Sequence, residues 1–185
     1  GGAPYVGWPP LFPSALAGLG KAGLEPLDGV RVLNAGVYGL TIYAAGRLLL
    51  THLRSPWLAL AGAATLLVSL TLVRVSIMAW SEPLFVLMSV LFVVFISRFI
   101  REQRLTFFLI AAGCSAVAAL DRYIGFSLAI AGSGAILLLL TELAWRRRVI
   151  YAGIFGTISL APLALWLARN QRVSDSFTGS RAAPE

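Results

Sequence analysis

Long apolar segments, with the charged residues confined to the gaps between them, dominate this chain. Only 12% of its 185 residues are charged, whereas a soluble domain carries charge on about a quarter of its residues. Backbone polar groups in lipid must be paired internally, and no alternating strand pattern is present, so the segments are predicted to be helices. The predicted fold is an all-α, polytopic transmembrane helix bundle of about six spans, at residues 30–50, 57–73, 84–97, 106–120, 124–140 and 149–168.

The first 28 residues differ from the rest, because they combine prolines and aromatic residues with only a short apolar stretch. That stretch is too short to cross a bilayer. We therefore predict an interfacial helix over residues 10–24, with Pro10 in its first turn and with Tyr5 and Trp8 at headgroup level. The predicted organisation is an outer-face segment at 1–28, a transmembrane helical core at 29–168 and the start of an outer-face loop at 169–185.

The gaps between the apolar segments alternate between two kinds. Gaps at 47–54, 98–104 and 145–148 are rich in arginine, whereas those at 74–82, 121–123 and from 169 onward carry mixed polar groups. Short cytoplasmic loops of membrane proteins are enriched in Arg and Lys, so the arginine-rich gaps are predicted to be cytoplasmic. The net charge of +7 does not indicate a nucleic-acid partner, because the basic residues lie at the ends of apolar segments and not on one face.

Three polar groups in the second kind of gap are candidates for chemistry, and each also has a structural interpretation. Glu82 follows Ser81 and precedes Pro83, which is a usual helix start, or it is a carboxylate facing a polar cleft. Arg122 belongs to a tight turn with an ion pair, or its planar fork binds an anionic headgroup. Arg169 begins a polar tail, or it has a partner at the outer face, where positive charge is otherwise disfavoured.

The sequence contains few residues suited to metal binding or disulfide formation. Cys114 is the only cysteine and His52 the only histidine. A disulfide within the chain is therefore excluded, and so is a His/Cys metal cluster. No cofactor is evident, although a divalent metal bound through other ligands stays open.

Six short motifs follow one another along the chain: Pro9-Pro10-Leu11, Arg31-Val32-Leu33-Asn34, Ser81 to Phe85, Arg122-Tyr123-Ile124-Gly125, Arg169-Asn170 and Thr178 to Arg181. Taken in order, they resemble motifs of the GT-C superfamily of membrane glycosyltransferases, in the branch of protein O-mannosyltransferases, the aminoarabinose transferase of lipid A and Rgt-type enzymes. A tryptophan, Trp8, stands where that family usually has a histidine.

The resemblance implies transfer of a sugar from a polyprenyl-phosphate donor to a glycan, lipid or protein acceptor, on the outer face of a bacterial or archaeal plasma membrane. The family's catalytic carboxylate usually lies in the first outer loop, so we expect it upstream of Gly1, in a longer protein of which this chain is a fragment. The implied substrate-binding residues are Pro9, Pro10, Glu82, Arg122, Tyr123, Arg169, Asn170 and Arg181.

A physical argument leads to the same site. A lipid-linked sugar phosphate holds its anion at the bilayer surface, where arginines at the outer ends of helices can bind it. We therefore predict that Arg122, Arg169 and Arg181 converge around the donor phosphate. The alternatives are a transporter or lipid flippase, which would place ionisable groups near the bilayer midplane, and a non-catalytic scaffold subunit.

Overall fold

The computed structural model describes residues 5–178, and the regular structure in that range is entirely helical. The predicted all-α class is therefore confirmed for this part of the chain. Arg181, one of the predicted phosphate ligands, lies outside the described residues. The elements are α1 (Leu11–Lys21), α2 (Pro26–His52), α3 (Pro56–Leu67), α4 (Leu70–Ile77), α5 (Glu82–Glu102), α6 (Leu105–Asp121), a 3-10 turn (Tyr123–Gly125), α7 (Phe126–Leu139) and α8 (Trp145–Ser174).

Two helices in the described range, α5 and α8, are each long and apolar enough to cross a membrane. A third span results if α3 and α4, which are bent by 46°, count as one. The shorter apolar helices α6 and α7 occupy the predicted spans at 106–120 and 124–140, and α2 covers the one at 30–50. Each predicted span thus coincides with a helix or a helix pair, and two or three of these are long and apolar enough to cross a membrane.

The predicted span at 57–73 is wrong as a single helix, because the chain breaks at Val68 and Ser69. The Ser69 hydroxyl accepts a hydrogen bond from the backbone N–H of Leu72 and so caps the new helix. On the other side of the break, the Tyr38 hydroxyl donates to the carbonyl oxygens of Leu66 and Leu67, at 3.2 and 2.6 Å. These bonds satisfy backbone groups that an unbroken helix would have paired internally.

The predicted N-terminal helix is present but shorter than expected. Helix α1 begins at Leu11, with Pro10 as the residue before it and not in its first turn. It ends at Lys21 because Gly23 adopts a φ of +90°, which is open to glycine at no steric cost. The backbone N–H of Leu24 then donates to the carbonyl of Leu19, the closing bond of a Schellman motif. The stretch from 22 to 24 therefore leads into α2.

Aromatic rings fill the space between α5, α6 and α8. Phe99, Phe108 and Phe155 are buried, and the ring centroids of Phe99 and Phe108 are 5.1 Å apart in an edge-to-face arrangement. Gly132 in α7 has no room for a side chain, since an added Cβ would overlap the Phe155 ring. Small residues thus allow close helix contact, as is usual for helices that pack in membranes.

The arginine-rich gaps at 98–104 and 145–148 lie together at one end of the bundle, and the polar gaps at 74–82 and 121–123 lie together at the other. At one end, the Gln103 side chain donates to the Glu142 carboxylate at 3.0 Å and so joins the α5–α6 and α7–α8 connections. Arg148 donates to the carbonyl oxygens of Leu143 and Thr141 at this same end. At the other end of α5 and α6 lie the connections that precede Glu82 and follow Asp121.

The orientation of the bundle leads to the first testable prediction. We expect Arg101 and Arg147 on the cytoplasmic side and Glu82, Arg122 and Asn170 on the outer side, because the short arginine-rich loops favour the cytoplasm. In a Cys114→Ala background, a membrane-impermeant thiol reagent applied to intact cells should label cysteine at the exposed position Ile124 but not at Arg101. Permeabilised cells, in which both positions should react, are the control, and the reverse pattern in intact cells would show that the orientation is wrong.

Candidate functional site

A cleft of about 570 Å³ lies at the predicted outer end of the bundle. Three segments form it: the N-terminal segment with the start of α1, the connection from α4 to α5, and the turn from α6 to α7. Its lining combines aromatic rings with a few charged groups, the usual composition of a ligand site. The lining residues are Tyr5, Trp8, Pro9, Phe12, Pro13, Ala79, Trp80, Ser81, Glu82, Asp121, Arg122, Tyr123 and Ile124.

Glu82 enters the cleft as the first residue of α5. Ser81 is the N-cap and Pro83 lies in the first turn, so the predicted helix start is present, although the Ser81 side chain makes no capping bond. The connection before it is held by Asn34, which is completely buried in α2. The Asn34 amide donates to the carbonyl of Met78 at 3.0 Å and, less closely, to that of Trp80 at 3.4 Å. Asn34 thereby fixes the approach of the chain to Glu82.

From the sequence, Asn34 had no predicted role beyond its place in a motif that resembles the family pattern. One sequence signal was available, because a lone amide within a long apolar helix needs an internal hydrogen-bond partner. That partner lies 44 residues away in the sequence, at Met78, and so could not be named without the fold.

Arg122 forms an ion pair with Glu82 across the cleft. The connection from α6 to α7 is short, as predicted, with Arg122 in an extended conformation between the end of α6 and the 3-10 turn. Each of the two side chains keeps about a third of its surface exposed, at 36% for Arg122 and 33% for Glu82. The guanidinium is therefore held by a carboxylate and remains accessible from the cleft.

Asp121 is the unusual group of this cleft. It is the last residue of α6, one position beyond the apolar segment at 106–120, and its residue exposure is only 3%. Neither carboxylate oxygen has a hydrogen-bond partner among the described residues, and the buried hydroxyl of Tyr123 also has none there. Burial raises the pKa of the Asp121 carboxyl to about 7, an effect that Arg122 opposes and Glu82 reinforces.

Tyr5 also lines the cleft. Burial, and next the neighbouring Tyr123, raise the pKa of the Tyr5 hydroxyl above its ordinary value. An unpaired buried carboxyl and a pair of phenols therefore share one small volume. Within residues 5–178, the Asp121 carboxyl and the Tyr123 hydroxyl therefore have hydrogen-bonding capacity that no other residue uses.

Arg169 and Asn170 hold the wall of the cleft and are not part of its lining. The Arg169 guanidinium donates to the carbonyl of Tyr5 at 2.9 Å and lies 4.7 Å from the centre of the Trp166 ring. Asn170 is completely buried, and its amide donates to the carbonyl of Phe177 at 3.2 Å. Both residues lie within α8, so the loop predicted to begin at residue 169 starts after Ser174.

The structure thus brings together some of the predicted site residues and separates others. The cleft is lined by Glu82, Arg122, Tyr123 and Pro9. Pro10 follows Pro9 in the chain but is not part of the lining. Of the two predicted phosphate ligands in the described range, one lies in the cleft and the other, Arg169, contacts its wall. Within residues 5–178, no group of three His, Cys, Asp or Glu side chains is arranged to hold a metal ion.

Comparison with known proteins identifies no relative of this chain. No family model, curated protein or solved structure matches it. The site is therefore interpreted from its own residues and geometry.

Proposed function

We propose that this chain is the helical core of a membrane glycosyltransferase, with about six spans, whose cleft binds a polyprenyl-phosphate sugar donor at the outer face. The observation that carries the proposal is the composition of the cleft, where an accessible arginine lies beside an unpaired carboxyl among aromatic rings. Glu82 begins α5, Asp121 ends α6 and Arg122 follows it, so the charged groups lie at the ends of apolar helices. A lipid-linked sugar phosphate needs this placement, because its tail lies in the bilayer and its head at the surface.

Arg122 is the proposed phosphate ligand. Its planar guanidinium offers paired N–H donors that match two phosphate oxygens, and charge-assisted bonds of this kind are about twice as strong as neutral ones. Without a ligand, the guanidinium pairs with Glu82. A bound phosphate would take the place of the Glu82 carboxylate as the partner of Arg122, so the charge of the arginine is compensated in both states.

The proposed reaction breaks the bond between the anomeric carbon and a phosphate oxygen, and forms one between that carbon and an acceptor oxygen. The proton of the acceptor hydroxyl goes to a base, and the leaving phosphate keeps the electron pair. Arg122 stabilises the charge that develops on this phosphate. Glu82 is not proposed as the base, because its ion pair with Arg122 already accounts for its place in the cleft.

A transporter or flippase fits the arrangement less well. Such proteins place ionisable groups near the membrane midplane, often on broken helices. Here Glu82 begins α5 and Asp121 ends α6, so both lie at helix ends. The break between α3 and α4 lines neither the cleft nor any charged cluster in the described range.

The proposed function is tested with the protein produced from its complete coding sequence and reconstituted in nanodiscs. Radiolabelled decaprenyl-phosphate mannose, glucose or arabinose is supplied together with a cell-envelope extract as the source of acceptor. We expect label from at least one donor to move to an acceptor, and none to move from a nucleotide sugar. Use of the nucleotide sugar, or movement of the intact lipid across liposome membranes without transfer, would contradict the proposal.

A further inference from the structure

We propose that Asp121 and Tyr123 form the sugar-recognition end of the cleft, in which the Asp121 carboxylate accepts hydrogen bonds from hydroxyl or amino groups of the donor sugar. The Tyr123 hydroxyl bonds a neighbouring sugar oxygen, and Arg122 between them binds the phosphate. This inference rests on the proposed function, since it takes the ligand to be a lipid-linked sugar. It adds the residues that distinguish the sugar-bearing lipid from the bare lipid phosphate.

The burial of Asp121 is the first argument. A carboxyl that is 3% exposed and has no hydrogen-bond partner among the described residues is costly to place in a folded protein. An arginine adjoins it in the sequence, yet that arginine pairs with Glu82. A ligand that brings its own hydrogen-bond donors would satisfy both carboxylate oxygens at once.

The spacing along the chain is the second argument. Asp121, Arg122 and Tyr123 are consecutive, and all three line the same cleft. Consecutive Cα atoms are about 3.8 Å apart, so the outer two are separated by at most roughly 7.5 Å. A sugar phosphate presents its anion and its ring hydroxyls within a comparable distance. One ligand molecule can therefore contact the arginine and both flanking side chains.

The aromatic walls are the third argument. Tyr5, Trp8 and Trp80 line the cleft together with the polar groups. An indole ring offers a broad apolar face beside a polar edge, and it buries large area with little loss of conformational freedom. A sugar ring has the matching chemistry, since its C–H groups form apolar patches and its hydroxyls point outward.

The experiment compares the affinity of bare decaprenyl phosphate with that of the same lipid bearing mannose, glucose, glucosamine or arabinose. Radiolabelled lipids are titrated onto the full-length protein in nanodiscs. In the wild type we expect at least one sugar-bearing lipid to bind ten times or more tighter than the bare phosphate. Asp121→Asn and Tyr123→Phe should each reduce that preference roughly tenfold, because a lost hydrogen bond to a charged or buried group has about this effect. Neither should weaken binding of the bare phosphate as much as it weakens binding of the sugar-bearing lipid.

Two matched controls make the same chemical changes elsewhere. Asp175→Asn removes a carboxylate at an exposed position with a φ of +51°, which asparagine tolerates. Tyr43→Phe removes a phenol hydroxyl from an exposed ring on α2. Neither residue lines the cleft, so both variants should keep the wild-type preference.

The inference is overturned if Asp121→Asn and Tyr123→Phe keep the full preference, if they weaken the bare phosphate equally, or if the wild type prefers no sugar-bearing lipid. A failure of the proposed function looks different. It would appear as wild-type protein that binds no decaprenyl phosphate, or as binding that Arg122→Ala leaves unchanged. If the wild type transfers sugar but Asp121→Asn keeps the same preference for the sugar-bearing lipid, the inference is wrong and the proposed function is retained.

Discussion

Replacing Arg122 with lysine should lower sugar transfer from a polyprenyl-phosphate donor roughly tenfold to more than a hundredfold. An ammonium keeps the positive charge but loses the planar pair of donors that matches two phosphate oxygens. A charge-assisted hydrogen bond contributes about 1.5–3 kcal/mol, and each 1.4 kcal/mol lost from transition-state stabilisation costs about a factor of ten in rate. The measurement is the initial rate of transfer by purified variants in nanodiscs, at matched protein concentration.

Arg147→Lys is the matched control, because Arg147 is exposed at the opposite end of the bundle. This substitution should leave the rate of transfer unchanged. Glu82→Gln separates phosphate binding from the ion pair. If Arg122 acts only by holding Glu82, then Glu82→Gln should slow transfer as much as Arg122→Lys does. We expect a smaller effect, since the phosphate compensates the arginine once the donor is bound. Equal rates for Arg122→Ala and wild type would remove Arg122 from the site.

Arg169 should also affect the rate of sugar transfer, but by supporting the wall of the cleft and not by binding the phosphate. Its guanidinium holds the carbonyl of Tyr5, so Arg169→Ala should loosen the N-terminal wall of the cleft without removing a phosphate ligand. The sequence predicted a partner for this outer-face arginine, and the structure supplies a backbone carbonyl and the Trp166 ring. Charge asymmetry can show that an arginine is out of place, but it does not show which atoms compensate it.

The helices were predictable because the apolar segments are long and their ends carry clear signals. Ser81, Glu82 and Pro83 start α5 as their order indicates, and Asp121 and Arg122 end α6. The break at Val68 and Ser69 was not predictable, because it depends on the Tyr38 hydroxyl of another helix. Periodicity and composition describe one segment at a time, whereas the bonds that stabilise a broken helix join two segments.

Only part of the site was predictable from the sequence, because the contacts that form it also join separate segments. Arg122 and Glu82 were both candidates, yet their ion pair joins residues 40 positions apart and follows only from the packing of α5 on α6. The sequence placed Asp121 in the polar gap at 121–123 and did not indicate its burial. A carboxylate at the end of an apolar helix is usually solvated, so its burial and its lack of a hydrogen-bond partner within residues 5–178 follow only from the folded structure.

Replacing Gly125 with alanine should destabilise the protein by about 3 kcal/mol or more and misplace the turn that carries Arg122. The backbone of Gly125 has a φ of −59°, which any residue can adopt, so the requirement for glycine is space. An added Cβ would overlap backbone atoms of Ala118 and Ala119 in α6, and a helix backbone cannot rotate aside as a side chain can.

Gly134→Ala in α7 is the matched control, because its Cβ would meet nothing within 4 Å, and alanine favours a helix over glycine by about 1 kcal/mol. Thermal unfolding of the purified variants in one detergent should therefore rank Gly125→Ala far below wild type and Gly134→Ala at or above it. Equal unfolding midpoints for the two variants would show that α7 can move away from α6, and that the close contact at Gly125 does not position the turn.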